Sequence, residues 1–144
     1  MISVRIGGTL RTAVVAAPGY LAWAGAPETP EELLGHRCLV YRYTSSGQTH
    51  RWRFERGGRE VALAPPPSFV SNDVDLLRDA ALGGMGLACL SAPQAAAGLA
   101  DGTLREVLAD WSVPIAPNHL YYPSRRQMRP ALRAFIDWMV ADQR

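Results

Sequence analysis

Lysine is missing from this chain of 144 residues; all 15 basic side chains are arginine. Against 13 acids they leave a net charge of only +2, too small and too scattered to form a nucleic-acid surface. We read the lysine gap as genomic base composition rather than function. No apolar run approaches the ~20 residues of a membrane-spanning helix, and residues 1–8 (MISVRIGG) lack the long apolar region of a secretory signal. A cytoplasmic location without membrane attachment is therefore expected. Cysteine is scarce: Cys38 and Cys89 lie far apart in apolar segments, in neither a CxxC nor a Cys/His metal spacing. Buried, reduced thiols are the expectation.

Catalytic and cofactor signatures are absent too. His36, His50 and His119 occupy separate segments with no HExxH or other metal spacing, and no serine sits in GxSxG. The glycine run at 83–86 follows a helical stretch instead of preceding one, so it reads as a stop signal and not as a phosphate cradle. Asp75 and Asp79 are one helical turn apart, but the helix dipole accounts for the first and an exposed face for the second. We expect no catalytic residue, no metal, no cofactor and no enzyme activity.

What the chain does have is apolar bulk, 48% of its residues, enough for one core of ordinary size or two small lobes sharing it. Residues 68–91 (SFVSNDVDLLRDAALGGMGLACLS) organise the rest. They predict a buried strand at Phe69 and Val70, a polar turn at Ser71, Asn72 and Asp73, a helix to about Leu82, a glycine exit and a second buried strand at 87–90. Asn72 is the expected cap, Asp73 and Asp75 suit the first turn, and Val74, Leu77 and Ala81 mark the apolar face beside Leu76 and Ala80. Gly83 and Gly84 supply the left-handed stop. Such a βαβ unit sets two parallel strands side by side, with a ligand-facing edge at their C-terminal ends.

Elsewhere, strands are expected at 3–6, 12–17, 38–43, 104–108 and 119–122. Pro18 opens a helical turn, and Thr29-Pro30-Glu31-Glu32 caps another in which Leu33 and Leu34 point inward. Residues 44–49 are a polar loop. A hairpin over 51–63 turns at Gly57-Gly58, pairing Phe54 with Val61, Trp52 with Leu63 and Glu55 with Glu60. Its four arginines, Arg51, Arg53, Arg56 and Arg59, alternate across two faces with glutamates between them, as on a solvated edge. Residues 92–100 carry a weak helix, 111–117 a proline-punctuated crossover, and 130–141 a helix with a full apolar stripe.

Taken together, NDVDLLRDAALGGMGLACL closely resembles a motif of LysR-type transcriptional regulators. The resemblance continues in order through RIGG, APGYLAWAGAPETPEELLGHRCLVYR, WRFERGGREVAL and LYYPSRRQMRPALRAFIDWMV, and so covers nearly the whole chain. It implies the α/β fold of the family's effector domain, the periplasmic-binding-protein-like (type 2) fold, whose two lobes hold a small organic ligand between them. Residues of about 11–111 would form a largely complete second lobe. Residues 1–7 and about 118–144 would belong to a partial first lobe, with no helix-turn-helix.

By that resemblance the chain is an effector-binding regulatory domain that binds a small organic molecule. The expected contacts are Gly7 and Gly8 at the crossover, Tyr43, Thr44 and Ser45 after the central strand, and Ser71, Asn72 and Asp73 at the helix tip. Free backbone N–H groups at that tip suit a carboxylate, although Asp73 opposes a strongly anionic ligand. An incomplete first lobe implies self-association, and specific DNA binding by this chain alone is not expected. A module that dimerises with full-length regulators and a solute-binding-protein fragment are the alternatives.

Overall fold

Three strands made almost wholly of apolar residues run through the centre of a mixed sheet. The structure, a computed structural model, describes residues 2–6, 10–115, 118–122 and 138. The chain divides into two units, Arg11–Val113, and Met1–Leu10 with Pro114–Arg144. In chain order the elements are β1 (Ile2–Ile6), β2 (Leu10–Ala16), α1 (Pro18–Ala24), a 3-10 helix at Pro30–Gly35, β3 (Cys38–Tyr41), β4 (Trp52–Arg56), β5 (Arg59–Leu63) and β6 (Pro67–Ser71). They continue with α2 (Val74–Leu82), β7 (Leu87–Ser91), α3 (Ala92–Asp101), β8 (Arg105–Val107), a 3-10 turn at Ala109–Trp111, β9 (Pro114–Ile115) and β10 (Asn118–Tyr122).

In the larger unit the strand order is β6-β3-β7-β2-β8. Strands β6, β3 and β7 are parallel, and β2 runs antiparallel to both β7 and β8. Successive residues of a strand point to opposite faces, and the core divides accordingly. Val14, Ala16, Cys38, Val40 and Leu87 pack on one face with Tyr20, Leu33, Trp52, Phe54 and Trp111. Ala13, Val15, Leu39, Ala88 and Leu90 pack on the other with Leu77, Ala80, Ala81, Ala95 and Leu104. The first face is thus covered by α1, the 3-10 helix and the β4–β5 hairpin, and the second by α2 and α3. Two covered faces explain why these strands read as continuous apolar runs rather than alternating ones. Leu39 and Leu87 are essentially fully buried, each stabilising by about 2–3 kcal/mol.

The organising βαβ unit differs from expectation in one respect. β6 and β7 are parallel, but β3 lies between them and pairs with both. The α2 crossover therefore spans a strand that the local sequence does not contain, because Cys38–Tyr41 offers the more apolar ladder. The glycine exit also has a division of labour: Gly83 keeps a right-handed φ of −77°, and Gly84 takes the left-handed conformation at 81°. Gly86 is required for another reason. A Cβ there would collide with the Arg37 carbonyl, to which the Leu87 N–H donates at 2.8 Å. That bond starts the β3–β7 ladder.

The hairpin has the expected register, Trp52↔Leu63, Phe54↔Val61 and Glu55↔Glu60. At the 3-10 helix, Glu32 accepts from the backbone N–H groups of Glu28 and Thr29, which hold its carboxyl below the usual range. Leu33 is buried as expected, whereas Leu34 is exposed, because a 3-10 turn of this length presents only one apolar position to the sheet. The central strand ends at Tyr41 rather than Tyr43, where the chain turns into a closed loop. In the smaller unit β1 and β10 form an antiparallel pair from Ile2↔Tyr122 to Ile6↔Asn118. Apart from Trp138, the helix expected at 130–141 lies outside the described residues. Among the described residues no helix is long and apolar enough to cross a membrane.

Replacing Gly86 by Ala is expected to lower stability by about 2–3 kcal/mol, since a backbone carbonyl cannot yield as a side chain can. Gly35→Ala, where a Cβ meets open space, should change it by less than about 0.5 kcal/mol. Urea unfolding of the two variants checks the contrast.

Candidate functional site

The parallel strands β6, β3 and β7 all end at one edge of the sheet, and the loops leaving them converge there. Arg42 donates its backbone N–H to the Ser71 carbonyl at 2.9 Å, extending the Tyr41↔Ser71 register and setting the two loops side by side. After β3 the chain closes on itself. Tyr43 N–H donates to the Gln48 carbonyl at 2.9 Å and Gly47 N–H to the Tyr43 carbonyl at 2.8 Å, while His50 N–H returns to the Tyr41 carbonyl at 2.7 Å. Thr44 and Ser45 occupy the exposed tip of this loop.

An aromatic cluster backs the tip. The Tyr43 ring meets Tyr41 edge-on with centroids 5.3 Å apart, and His50 at 5.8 Å. The Tyr43 hydroxyl lies 2.6 Å from His50 Nδ1. Burial, helped by the nearby Arg53 charge, lowers the His50 pKa, so at neutral pH the imidazole is uncharged and the phenol can donate to it.

After β6 the helix tip is already occupied. Ser71 Oγ accepts from the Asp73 N–H at 3.0 Å, and Asp73 Oδ1 accepts from the Asp75 N–H at 2.9 Å. The cap is therefore Asp73 and not Asn72. Asp73 can fold its carboxylate back onto the first turn, which leaves exposed Asn72 one residue outside the helix. The protein's own carboxylate thus takes one of the N–H groups at this tip, that of Asp75.

Two further groups share the edge. Ser91, the last residue of β7, caps α3 in a box with Gln94, whose Oε1 accepts from the Ser91 N–H at 3.0 Å. On the neighbouring antiparallel strand Thr12 pairs with Ser91. Thr12 exchanges backbone and side-chain bonds with Val113 at 3.0 and 3.3 Å, and its carbonyl accepts from Ser112 Oγ at 2.6 Å. The S-x-x-Q spacing of Ser91 and Gln94 was a readable capping signal. Thr12 and Ser112, 100 residues apart, offered none. Of the eight expected contacts, Tyr43, Thr44, Ser45, Ser71, Asn72 and Asp73 fall on this edge, whereas Gly7 and Gly8 lie outside the described residues.

Chemically the edge offers hydroxyls, backbone groups and aromatic faces. Asp75 is exposed and paired with Arg78 at 3.4 Å, and no cluster of three metal-binding side chains occurs among the described residues. Cys38 and Cys89 are free; burial pushes both thiols up to about 12, so neither is a thiolate at neutral pH.

Residues 2–144 match the family model of the LysR substrate binding domain. The HTH-type transcriptional regulator YcaN of Escherichia coli (strain K12) is 38% identical over 143 residues, 99% of this chain and 46% of YcaN. The chain spans about half the length of the curated relatives it matches. Among solved structures, full-length AphB, a Vibrio cholerae virulence activator of the LTTR family, matches at a TM-score of 0.83 and 27% identity over 100% of this chain and 48% of AphB. CrgA, a LysR-type transcriptional regulator from Neisseria meningitidis, matches at 0.77 and 31% over 99% and 47%.

The lowered His50 pKa carries a sign. The folded state holds the neutral ring better than the unfolded chain does, so this contribution is complete above the unfolded value near 6.5 and is lost as pH falls through the lower folded one. The urea midpoint should accordingly drop between about pH 7 and pH 5, and His50→Gln should remove that part of the slope. An unchanged slope in the variant would refute the assignment.

Proposed function

The chain belongs to the LysR substrate-binding domain family, and from that premise we propose that its C-terminal strand edge senses a small organic effector and passes the event to a DNA-reading part of the protein. The fold is that of LysR regulatory domains, periplasmic-binding-protein-like and of α/β class. The observation that carries the proposal is the convergence of three parallel strand ends with Ser71, Ser91, Thr44, Ser45 and the Tyr41–Tyr43–His50 cluster on one edge, the place where open α/β sheets bind ligands. Arg11–Val113 is the second lobe in this reading, and the flanking segments belong to the first. Gly7 and Gly8 would join the contacts at the crossover.

The nature of the edge narrows the effector. Hydroxyl donors and aromatic faces suit a polar, partly unsaturated molecule. The Asp73 carboxylate at the tip of α2 accepts the Asp75 N–H and opposes a second anion there, so a carboxylate on the effector would be read by the hydroxyls of Thr44, Ser45 and Ser91. Binding would act by population shift, favouring one lobe or subunit arrangement over another. We read the chain as a non-enzymatic, cytoplasmic module that self-associates and lacks specific DNA affinity of its own.

A saturating effector should raise the melting temperature, by about 2.7 kcal/mol of linkage at roughly a hundredfold excess over Kd. The double substitution Thr44→Val, Ser71→Ala should abolish that rise while the unliganded protein still melts cooperatively. A ligand whose shift survives the double substitution would place the site elsewhere. Light scattering at micromolar concentration should find a dimer or larger species, and gel shifts should show no salt-resistant, sequence-specific complex; a strict monomer or a specific complex would contradict these two readings.

A further inference from the structure

At the opposite edge of the same sheet, where β3 and β7 begin and β2 ends, lies a groove of about 510 Å³. The groove is shallow and largely open to solvent, with a volume that a small molecule could fill in part. Its walls come from three places: Gly19, Tyr20 and Trp23 on α1, Arg37 ahead of β3, and Leu82 to Gly84 at the end of α2.

The position of Arg37 is fixed from two sides. Its N–H donates to the Tyr20 hydroxyl at 3.1 Å, and its carbonyl accepts from Leu87 N–H at 2.8 Å. The Tyr20 hydroxyl, engaged as acceptor by Arg37, is free to donate to His36 Nδ1 at 2.7 Å. On this fixed backbone the guanidinium lies over the Trp23 ring, 4.9 Å from its centroid. Arg11, Arg59 and Arg78 each pair with a carboxylate; Arg37, like Arg42, Arg51, Arg53, Arg56 and Arg105, has no carboxylate partner among the described residues, and it is the one of these that lines the groove. Trp23 is 69% exposed, an uncommon placement for the largest apolar side chain.

Gly19 supplies a separate observation. It is the second residue of α1. Its φ does not demand glycine, and a Cβ there would meet nothing within 4 Å. Packing therefore gives no reason for a missing side chain, but Gly19 lines the groove, and a larger residue there would narrow it.

We propose that this groove is a second ligand site, for a small organic anion with a planar apolar body, its carboxylate paired with Arg37 and its ring against Trp23. A guanidinium on a fixed backbone, without a carboxylate partner among the described residues, can take a carboxylate in bidentate fashion, and the exposed indole beside it supplies an apolar face. The site is distinct from the strand edge that carries Thr44 and Ser71, since it lies at the other end of the strands.

The test is a titration of the whole chain with 2-naphthoate and with neutral 2-naphthamide, followed by 1H–15N spectra. The acid should shift the Trp23 indole N–H and the amides of Gly19, Gly83 and Gly84 saturably, and the amide should bind at least about tenfold more weakly. Arg37→Gln should weaken the acid about tenfold or more and leave the amide unaffected. Gly19→Leu, which narrows the groove from a position free of clashes, should abolish both while the melting temperature holds. Equal affinity for acid and amide, an unaltered Arg37→Gln, or no saturable shift at these signals up to about 10 mM would overturn the proposal.

Discussion

Burial of both faces of β2, β3 and β7 is the constraint on which the remaining structure depends. Once Val15 and Leu39 are committed to one side and Val14 and Val40 to the other, each side must be closed, since an open face would leave core residues in water. The helices α2 and α3 close one side with small residues, Ala80, Ala81 and Ala95, which permit close approach. The other side is closed by larger pieces, Trp52, Phe54 and Trp111 from the hairpin and the 3-10 turn. A one-residue slip of any central strand would exchange the two sets. The close approach of Gly86 to Arg37 guards against that at the start of the β3–β7 ladder.

This arrangement places the chemistry at the strand ends. Side chains within the sheet are consumed by packing, so polar groups can gather only where strands give way to loops. At the C-terminal edge they are largely self-satisfied: Ser71 and Asp73 cap α2, Gln94 closes onto Ser91, and Ser112 holds Thr12. Satisfied networks of this kind are rigid, and rigidity is what the proposed effector site would need. The opposite edge is built differently, with a guanidinium over an exposed indole beside a glycine that packing does not require. Chemistry by thiolates is closed off, because burial keeps both thiols protonated.

Much of the fold was readable beforehand where one physical signal dominates. The hairpin followed from Gly57-Gly58 and alternation, the 3-10 helix from Thr29, Pro30 and Glu32, and α2 from its acids and apolar spacing. The errors came where two local solutions were nearly equal. Asn72 and Asp73 are both good caps, and only the helix phase that buries Leu77, Ala80 and Ala81 selects the second. Leu33 and Leu34 are chemically alike, and only the short turn against the sheet decides which goes inside. On the strand edge the turn residues Ser71 to Asp73 and the loop tip were legible as polar punctuation, whereas the joining of Thr12 to Ser112 and of Tyr43 to His50 depends on contacts that spacing does not encode.

The sequence by itself determined most of the strands and helices of the larger unit, because hydrophobic period, caps and glycine stops act over a few residues; the 3-10 turn at Ala109–Trp111 and the short β9 within the expected crossover carry no such local signal. It also determined the kinship, since several motifs occur in one order along nearly the whole chain. Only the tertiary structure decided that β3 separates β6 from β7, because strand order depends on which apolar ladders bury most area together and not on sequence adjacency. The same holds for the two edges. Asp73 becomes the cap of α2, and Arg37 comes to lie over Trp23, through the positions that the packed sheet gives them.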